Sequence, residues 1–430
     1  MKKALKSLLS LIFVLSLLVS ATGCSSNDNG GSDTTVDGTY SLVQNVYSWG
    51  SSYSKVIIPV NFKSGTSYVD PGDYAVSVVR YNKNGELLNT GNRVVSAAYR
   101  SNENGVNDDN GNYITLDLAV TANLSLAQPY YTDPESFSSG LKAWADCQYT
   151  VTNTETNEVW DTLNTVYHPD EEKFTTDSFT ASDNTTVPYA LYEVNDGEEH
   201  PLIVWLHGAG SGGTDIGFVT GGMLVTNFVT DDVQEIFGGA NILLPQCETV
   251  WMDDGTGAYT SDGTSGYSTA LIELIQEIIT TKNVDPSKVY LGGCSNGGYM
   301  TIRLAMDNPD VFAAIFPVCQ AMQTTWVNDD QIKTLAEIPT WYVHCTNDPA
   351  VAIATTSEAL YTRTVEAGAT NIHFTKYESI VDPDYGNSYI GHFAWVYSLK
   401  NMCTTDYDGS NVTVDGTEVN LYQWLATCSK

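Results

Sequence analysis

Val289-Tyr290-Leu291-Gly292-Gly293-Cys294-Ser295-Asn296-Gly297-Gly298-Tyr299-Met300 decides the fold of this chain. The stretch opens on β-branched and aromatic residues, passes through glycines and ends where a helix can begin. At its centre, Gly293-Cys294-Ser295-Asn296-Gly297 has the spacing G-x-S-x-G. A serine in that frame sits on a strained strand-to-helix turn, with its hydroxyl lifted above the end of a sheet. Glycine on either side lets neighbouring backbones pass closely, and the N–H after the serine is free to face a developing oxyanion. The frame predicts strand, tight turn and helix. It makes Ser295 a candidate nucleophile and the Asn296 amide a candidate oxyanion donor.

On both sides of this turn, strands alternate with helices. Leu202 to Leu206 and Ile242 to Pro245 are continuous apolar runs, as buried parallel strands are. Thr269 to Thr280 places Ala270, Leu271, Leu274, Ile275 and Ile278 on one helical face. Phe312 to Val318, Trp341 to His344 and His373 to Tyr377 read as further strands, Ser357 to Ala367 and Leu421 to Ala426 as helices. From about Asp170 to Lys430 the pattern predicts an α/β domain with a doubly wound, mostly parallel sheet, whose ligands bind beyond the carboxyl ends of the strands.

The earlier part has a different grammar. Residues 36–169 contain short strand-like runs, among them Val56 to Val60, Tyr74 to Val79, Tyr113 to Leu118 and Gln148 to Thr152, divided by turn clusters such as Asp70-Pro71-Gly72. They predict an all-β, immunoglobulin-like sandwich with no evident chemistry of its own. Residues 1–24 read as a targeting segment: Lys2, Lys3 and Lys6 precede a short apolar core that ends in Ser20-Ala21-Thr22-Gly23-Cys24. Cys24 is the expected lipidation site of a bacterial lipoprotein, and 25–35 a polar, flexible tether. The expected location is extracellular, anchored to the cell surface by lipid alone.

Composition narrows the partners. At 430 residues and 42% hydrophobic, the chain can bury two cores. A formal net charge of −32 argues against nucleic acid or other polyanions as ligands. The eight cysteines show no C-x-x-C spacing, so neither structural zinc nor a dense disulfide framework is expected. A pairing of Cys403 with Cys428 stays open.

The residues that complete the chemistry follow in order. His207-Gly208-Ala209-Gly210 comes directly after an apolar strand, and its glycines allow the Ala209 N–H to point into a site as the second oxyanion donor. The His207 ring is expected to brace this loop. Asp348 lies just past the Trp341 strand, where the acid of a serine triad belongs. His392, in Gly391-His392-Phe393-Ala394-Trp395, follows as the base. His344 and His373 fall within strands and are read as packed residues. Gln246, Trp251 and Trp395 are the expected pocket residues, and Cys294 a packed thiol.

Six stretches together resemble the esterase branch of the α/β-hydrolases that contains polyhydroxybutyrate depolymerases and feruloyl and acetylxylan esterases. They are P-L-I-V-W-L-H-G-A-G (Pro201 to Gly210), L-L-P-Q-C (Leu243 to Cys247), G-C-S-N-G-G-Y-M (Gly293 to Met300), C-T-N-D (Cys345 to Asp348), G-H-F-A-W (Gly391 to Trp395) and Trp424-Leu425. The resemblance covers Asp170 to the end. An all-β module in front is similar to secreted esterases with an N-terminal immunoglobulin-like domain. Ser211-Gly212-Gly213 departs from the charged pair common at that place. The resemblance implies a serine esterase with the triad Ser295, Asp348 and His392, no metal and no organic cofactor. Its substrate would be a small-molecule or polysaccharide ester, such as acyl or feruloyl groups on plant polysaccharide. Two alternatives remain: a prolyl-oligopeptidase-like peptidase, whose front module would be a propeller, and a non-catalytic, glycan-binding surface lipoprotein.

Overall fold

The computed structural model describes residues 38–62, 69–137 and 140–430. The targeting segment, Cys24 and the tether lie outside the described residues. The front module has two sheets. One is five-stranded, in the order Thr162–Tyr167, Thr39–Tyr47, Gly50–Pro59, Tyr113–Leu118, Val95–Ser101; the other is four-stranded, in the order Val159–Trp160, Asp146–Asn153, Tyr74–Tyr81, Leu87–Arg93. Alternation along the strands buries Val76, Val78, Tyr149 and Val151 from one sheet against Leu42, Val56, Ile58 and Leu116 from the other. This is a sandwich, not the propeller that a peptidase of the prolyl-oligopeptidase type would carry. A small ribbon, Tyr130–Thr132 paired with Lys142–Trp144, projects from it.

The second part is built on an eight-stranded sheet. Its strands are β1 (Thr175–Thr180), β2 (Thr186–Tyr192), β3 (His200–Leu206), β4 (Asn241–Pro245), β5 (Val284–Cys294), β6 (Ala314–Val318), β7 (Thr340–Cys345) and β8 (Ile372–Tyr377). The spatial order is β1-β2-β4-β3-β5-β6-β7-β8; β1 and β2 are antiparallel to their neighbours and β3 through β8 are parallel. Strands β3, β4, β6 and β7 are buried along their whole length, which explains their unbroken apolar runs. Apolar layers lie on both faces. Helix α1 (Ser268–Thr281) packs the five residues expected of it on one face, and α2 (Asn296–Asp307), which follows the elbow, is buried nearly throughout. On the other face, α3 (Leu421–Thr427) brings Trp424 and Leu425 against Trp341 and Val343. The seven cysteines from Cys147 to Cys428 are all buried free thiols, Cys403 and Cys428 included.

The module does not stand apart from this domain. Ser51 donates to the Gly221 carbonyl through both its amide and its hydroxyl, each at 2.9 Å. The Val46 amide donates to Asp170 at 2.7 Å, and Trp144 stacks on Phe218 with ring centres 4.2 Å apart. Asp382 closes the joint from the far side. It accepts from the Ser48 hydroxyl of the module, from Tyr389 at 3.2 Å, and from the amides of Asp384 and Tyr385. The Asn/Gly/Tyr-rich loop around it suggests mobile surface, yet Asp382 is 1% exposed. Burial opposes its ionisation, but the Ser48 hydroxyl and the two amides outweigh that and hold its carboxyl below the usual value. Its stabilisation is therefore complete above the unfolded carboxyl value near ~4 and is lost as pH falls through the lower folded value. Asp382→Asn is expected to cost about 1–3 kcal/mol at neutral pH, measured by urea unfolding, with the gap from wild type narrowing on acidification. An equal cost at every pH would assign the loss to packing instead.

Candidate active site

Three loops at the carboxyl ends of β5, β7 and β8 converge on one point. The elbow between β5 and α2 holds Ser295 at φ 55° and ψ −114°, a conformation that non-glycine residues rarely adopt. The Ser295 amide is tied to Val318 of β6 at 2.9 Å, which helps to hold the strained turn. Gly297 cannot be replaced cheaply, because a Cβ there would sit 2.0 Å from the Leu206 carbonyl oxygen of β3. The second loop leaves β7 and presents Asp348. The third, a single turn at Gly391–Phe393, presents His392. A Cβ on Gly391 would lie 2.8 Å from the Asp348 amide, so glycine lets these two loops touch.

The contact is a chain of hydrogen bonds. His392 Nε2 lies 2.9 Å from Ser295 Oγ, and His392 Nδ1 lies 2.7 Å from Asp348 Oδ2. With Asp348 ionised, Nδ1–H donates to the carboxylate and Nε2 is bare toward the serine. Asp348 also accepts from the amides of Ala350 and Val351 on Oδ1, and from His344 Nε2 at 3.1 Å on Oδ2. Its side chain is 0% exposed. Burial opposes the charge, but His344, His392 and the Val351 amide outweigh it and hold the carboxyl well below the usual range.

His344 is the residue that sequence reading missed. It sits in β7 as expected for a packed histidine, but its ring bridges Ser357 Oγ, 2.8 Å from Nδ1, to the Asp348 carboxylate. Only the Nε2–H tautomer satisfies both contacts, with the serine hydroxyl donating to Nδ1. The spacing of four residues between His344 and Asp348 at a strand end was the available signal.

The amides of Ala209 and Asn296 donate to no protein acceptor among the described residues. Both open a helical turn, where N–H groups lack an intrahelical partner. Ala209, Asn296, Ser295 and His392 share the lining of one open cleft, of about 430 Å³. His207 lies behind the loop. Its Nδ1 donates to the Gly208 carbonyl at 2.7 Å, Nε2 accepts from the Cys247 amide at 3.2 Å, and burial draws its pKa down to about 4. Burial pushes the Cys294 thiol up to about 12.

The expected pocket residues divide. Trp395 lines a cavity of about 480 Å³ beside Ser295. Gln246 and Trp251 do not, and that expectation is corrected. Gln246 is fully buried, its Nε2 donating to the carbonyls of Ser211 at 2.9 Å and Asp215 at 2.8 Å. Trp251 is fully buried too; its indole N–H donates to His207 O at 3.1 Å and its amide donates to the Asn296 side chain. Both strap the Ala209 loop and the elbow in place. The opposite wall of the cavity comes from the front module: Ser48, Trp49, Asn123, Gln128, Tyr130 and Lys142. No local motif marks these residues, which only the tertiary fold brings together.

Cys319, Asp348 and His392 put potential metal-donor atoms within 4.8 Å of one another. Asp348 and His392 are already bonded to each other, and burial pushes the Cys319 thiol well above its usual value.

Residues 39–165 match the family described as the esterase Ig-like N-terminal domain, and residues 190–382 match the phospholipase/carboxylesterase family. The chain is a carboxylic ester hydrolase of the α/β-hydrolase fold. Among solved structures, a thermostable esterase is similar over 91% of this chain and 100% of its own, with a TM-score of 0.71 and 22% identity. That likeness extends the shared fold across both parts of the hydrolase. Partial likenesses are to a ferulic acid esterase (TM-score 0.39, 13% identity, 53% of this chain and 94% of that one) and to an S-formylglutathione hydrolase from Agrobacterium tumefaciens (TM-score 0.39, 14% identity, 52% and 90%). No curated protein matches the hydrolase.

Proposed function

We propose that this hydrolase is a serine esterase that works through an acyl-enzyme, with Ser295 as nucleophile, His392 as general base and Asp348 as the acid of the triad. The observation that carries this is the unbroken Ser295–His392–Asp348 relay beside two unused backbone amides. Ser295 Oγ attacks the ester carbonyl as Nε2 of His392 takes its proton. The carbonyl oxygen, now anionic, is received by the Ala209 and Asn296 amides. His392 then protonates the departing alcohol, and water enters by the same route to release the acid. Asp348 stays ionised throughout, fixing the ring and stabilising its cation.

Two cavities flank the nucleophile, so acyl and alcohol portions have separate places. The larger is walled by Trp49, Tyr130, Tyr389, Phe393 and Trp395, which favours a flat or bulky organic group over a bare acetyl. Acyl or feruloyl esters of plant polysaccharide fit that description. Lipidation at Cys24 would hold such an enzyme at the cell surface, facing an extracellular polymer. The test is a fluorophosphonate label on purified protein, followed by a panel of acetyl, longer acyl and feruloyl esters. Stoichiometric labelling of Ser295 with turnover of at least one ester is the expected result; a protein that neither labels nor turns over any ester is not a serine esterase.

A further inference from the structure

The front module places one positive charge in the larger cavity. Lys142 reaches across from the ribbon strand Lys142–Trp144, and a Cβ added to Gly210, next to the oxyanion donor Ala209, would meet Lys142 Cε at 3.9 Å. Its ammonium donates to the Gly222 carbonyl at 3.2 Å and lies over the Tyr130 ring, 4.3 Å from the centroid. Neither partner is anionic. The chain has 51 Asp and Glu residues and a net charge of −32, yet among the described residues no carboxylate lines this cavity. Burial draws the ammonium down to about 8, which still leaves the charged form in the majority at neutral pH. The titratable neighbours do not neutralise it: burial pushes both the Cys294 thiol and the Tyr130 phenol upward, so they keep their protons. A carbonyl and a ring face only partly replace the water that such an ammonium gives up.

We propose that Lys142 is a specificity-determining residue that pairs with a carboxylate on the substrate, so that the preferred ester carries an anionic group on the portion filling this cavity. The proposal rests on the esterase reading above. The aromatic walls take the skeleton of that portion, and Lys142 takes its charged end. In a chain this acidic the long-range field repels anions, so selection for one has to come from a charge inside the cavity. Lys142 also touches the hydrolase through Gly222 and stands as a strut between the two parts. The experiment has to separate these roles.

Two matched pairs of soluble esters do so. Mono-para-nitrophenyl adipate against para-nitrophenyl heptanoate puts the charge on the acyl side; para-acetoxybenzoate against its methyl ester puts it on the alcohol side. Wild-type enzyme is expected to favour the anionic member of one pair in kcat/KM. Lys142→Met is expected to cut that anionic-to-neutral ratio by about 10- to 100-fold, the size of a lost hydrogen bond to a charged group. A strut would lower both members alike and leave the ratio in place, and that result overturns the proposal. Wild-type preference for the neutral member of both pairs overturns it as well, and decides the matter even where the methionine variant does not fold. Failure of the esterase reading looks different, because then no neutral ester is turned over at all.

Discussion

Ser295→Ala is expected to lower turnover of a soluble ester by at least about 10⁴-fold and to leave the fold intact. The reason for the first part is that the reacting atom is gone. Among the described residues no other hydroxyl bonds to His392, whose Nε2 has Ser295 Oγ as its partner. The second part follows from what the side chain does otherwise. The elbow is held through the backbone, by the Ser295 amide on Val318 and the Tyr299 amide on the Ser295 carbonyl, and alanine keeps both. Alanine also keeps the strain of φ 55°, whereas glycine does not. Ser295→Gly is therefore expected to be as inactive as the alanine variant but more stable than it, by about 1 kcal/mol in urea unfolding. Normal turnover by purified Ser295→Ala removes the nucleophile assignment. A glycine variant no more stable than alanine means that the elbow is not strained in the way its dihedral angles indicate.

The elbow also shows how far the sequence could be read. Strands β3, β4, β6 and β7 announce themselves because burial on both faces demands uninterrupted apolar runs. The turns that carry Ser295, Asp348 and His392 announce themselves because close approach demands glycine at Gly297 and Gly391. Local chemistry writes such constraints into consecutive residues. The joint between module and hydrolase writes nothing of the kind. Ser48 meets Asp382 across 334 positions, and Lys142 meets Gly222 across 80. Each of those residues is unremarkable in its own stretch, so the loop around Asp382 looks like surface and the module looks chemically silent. Gln246 and Trp251 failed for the reverse reason. They lie beside the site in sequence order, but their side-chain N–H groups are consumed in holding its loops.

The carboxylate that serves His392 is open to a sharper test. Asp382 and Asp384 are closer in sequence to the histidine, but Asp382 is committed to Ser48 and Tyr389, and Asp384 pairs with Lys400 at the surface. Asp348 is bonded to the ring itself. Asp348→Asn is expected to lower kcat by about 10³- to 10⁴-fold, and Asp384→Asn by less than about tenfold. The asparagine is more damaging here than loss of charge alone implies. Both carboxylate oxygens are saturated with donors: the amides of Ala350 and Val351 on Oδ1, His392 and His344 on Oδ2. An amide has one oxygen and one NH₂. Turned with its NH₂ toward the histidines, it forces both rings to give up a donor; His392 then carries its proton on Nε2, facing Ser295, and no longer accepts the serine proton. Turned the other way, it sets NH₂ against two backbone N–H groups that have no alternative tautomer. The histidines are the side that can yield, so the wrong His392 tautomer is the expected outcome. Raising the pH, where free hydroxide can assist, is expected to restore part of the activity of Asp348→Asn. Comparison of Asp348→Asn, Asp384→Asn and wild type on one acetyl ester decides the assignment: a crippled Asp384→Asn beside a competent Asp348→Asn would move the acid of the triad to the loop before His392.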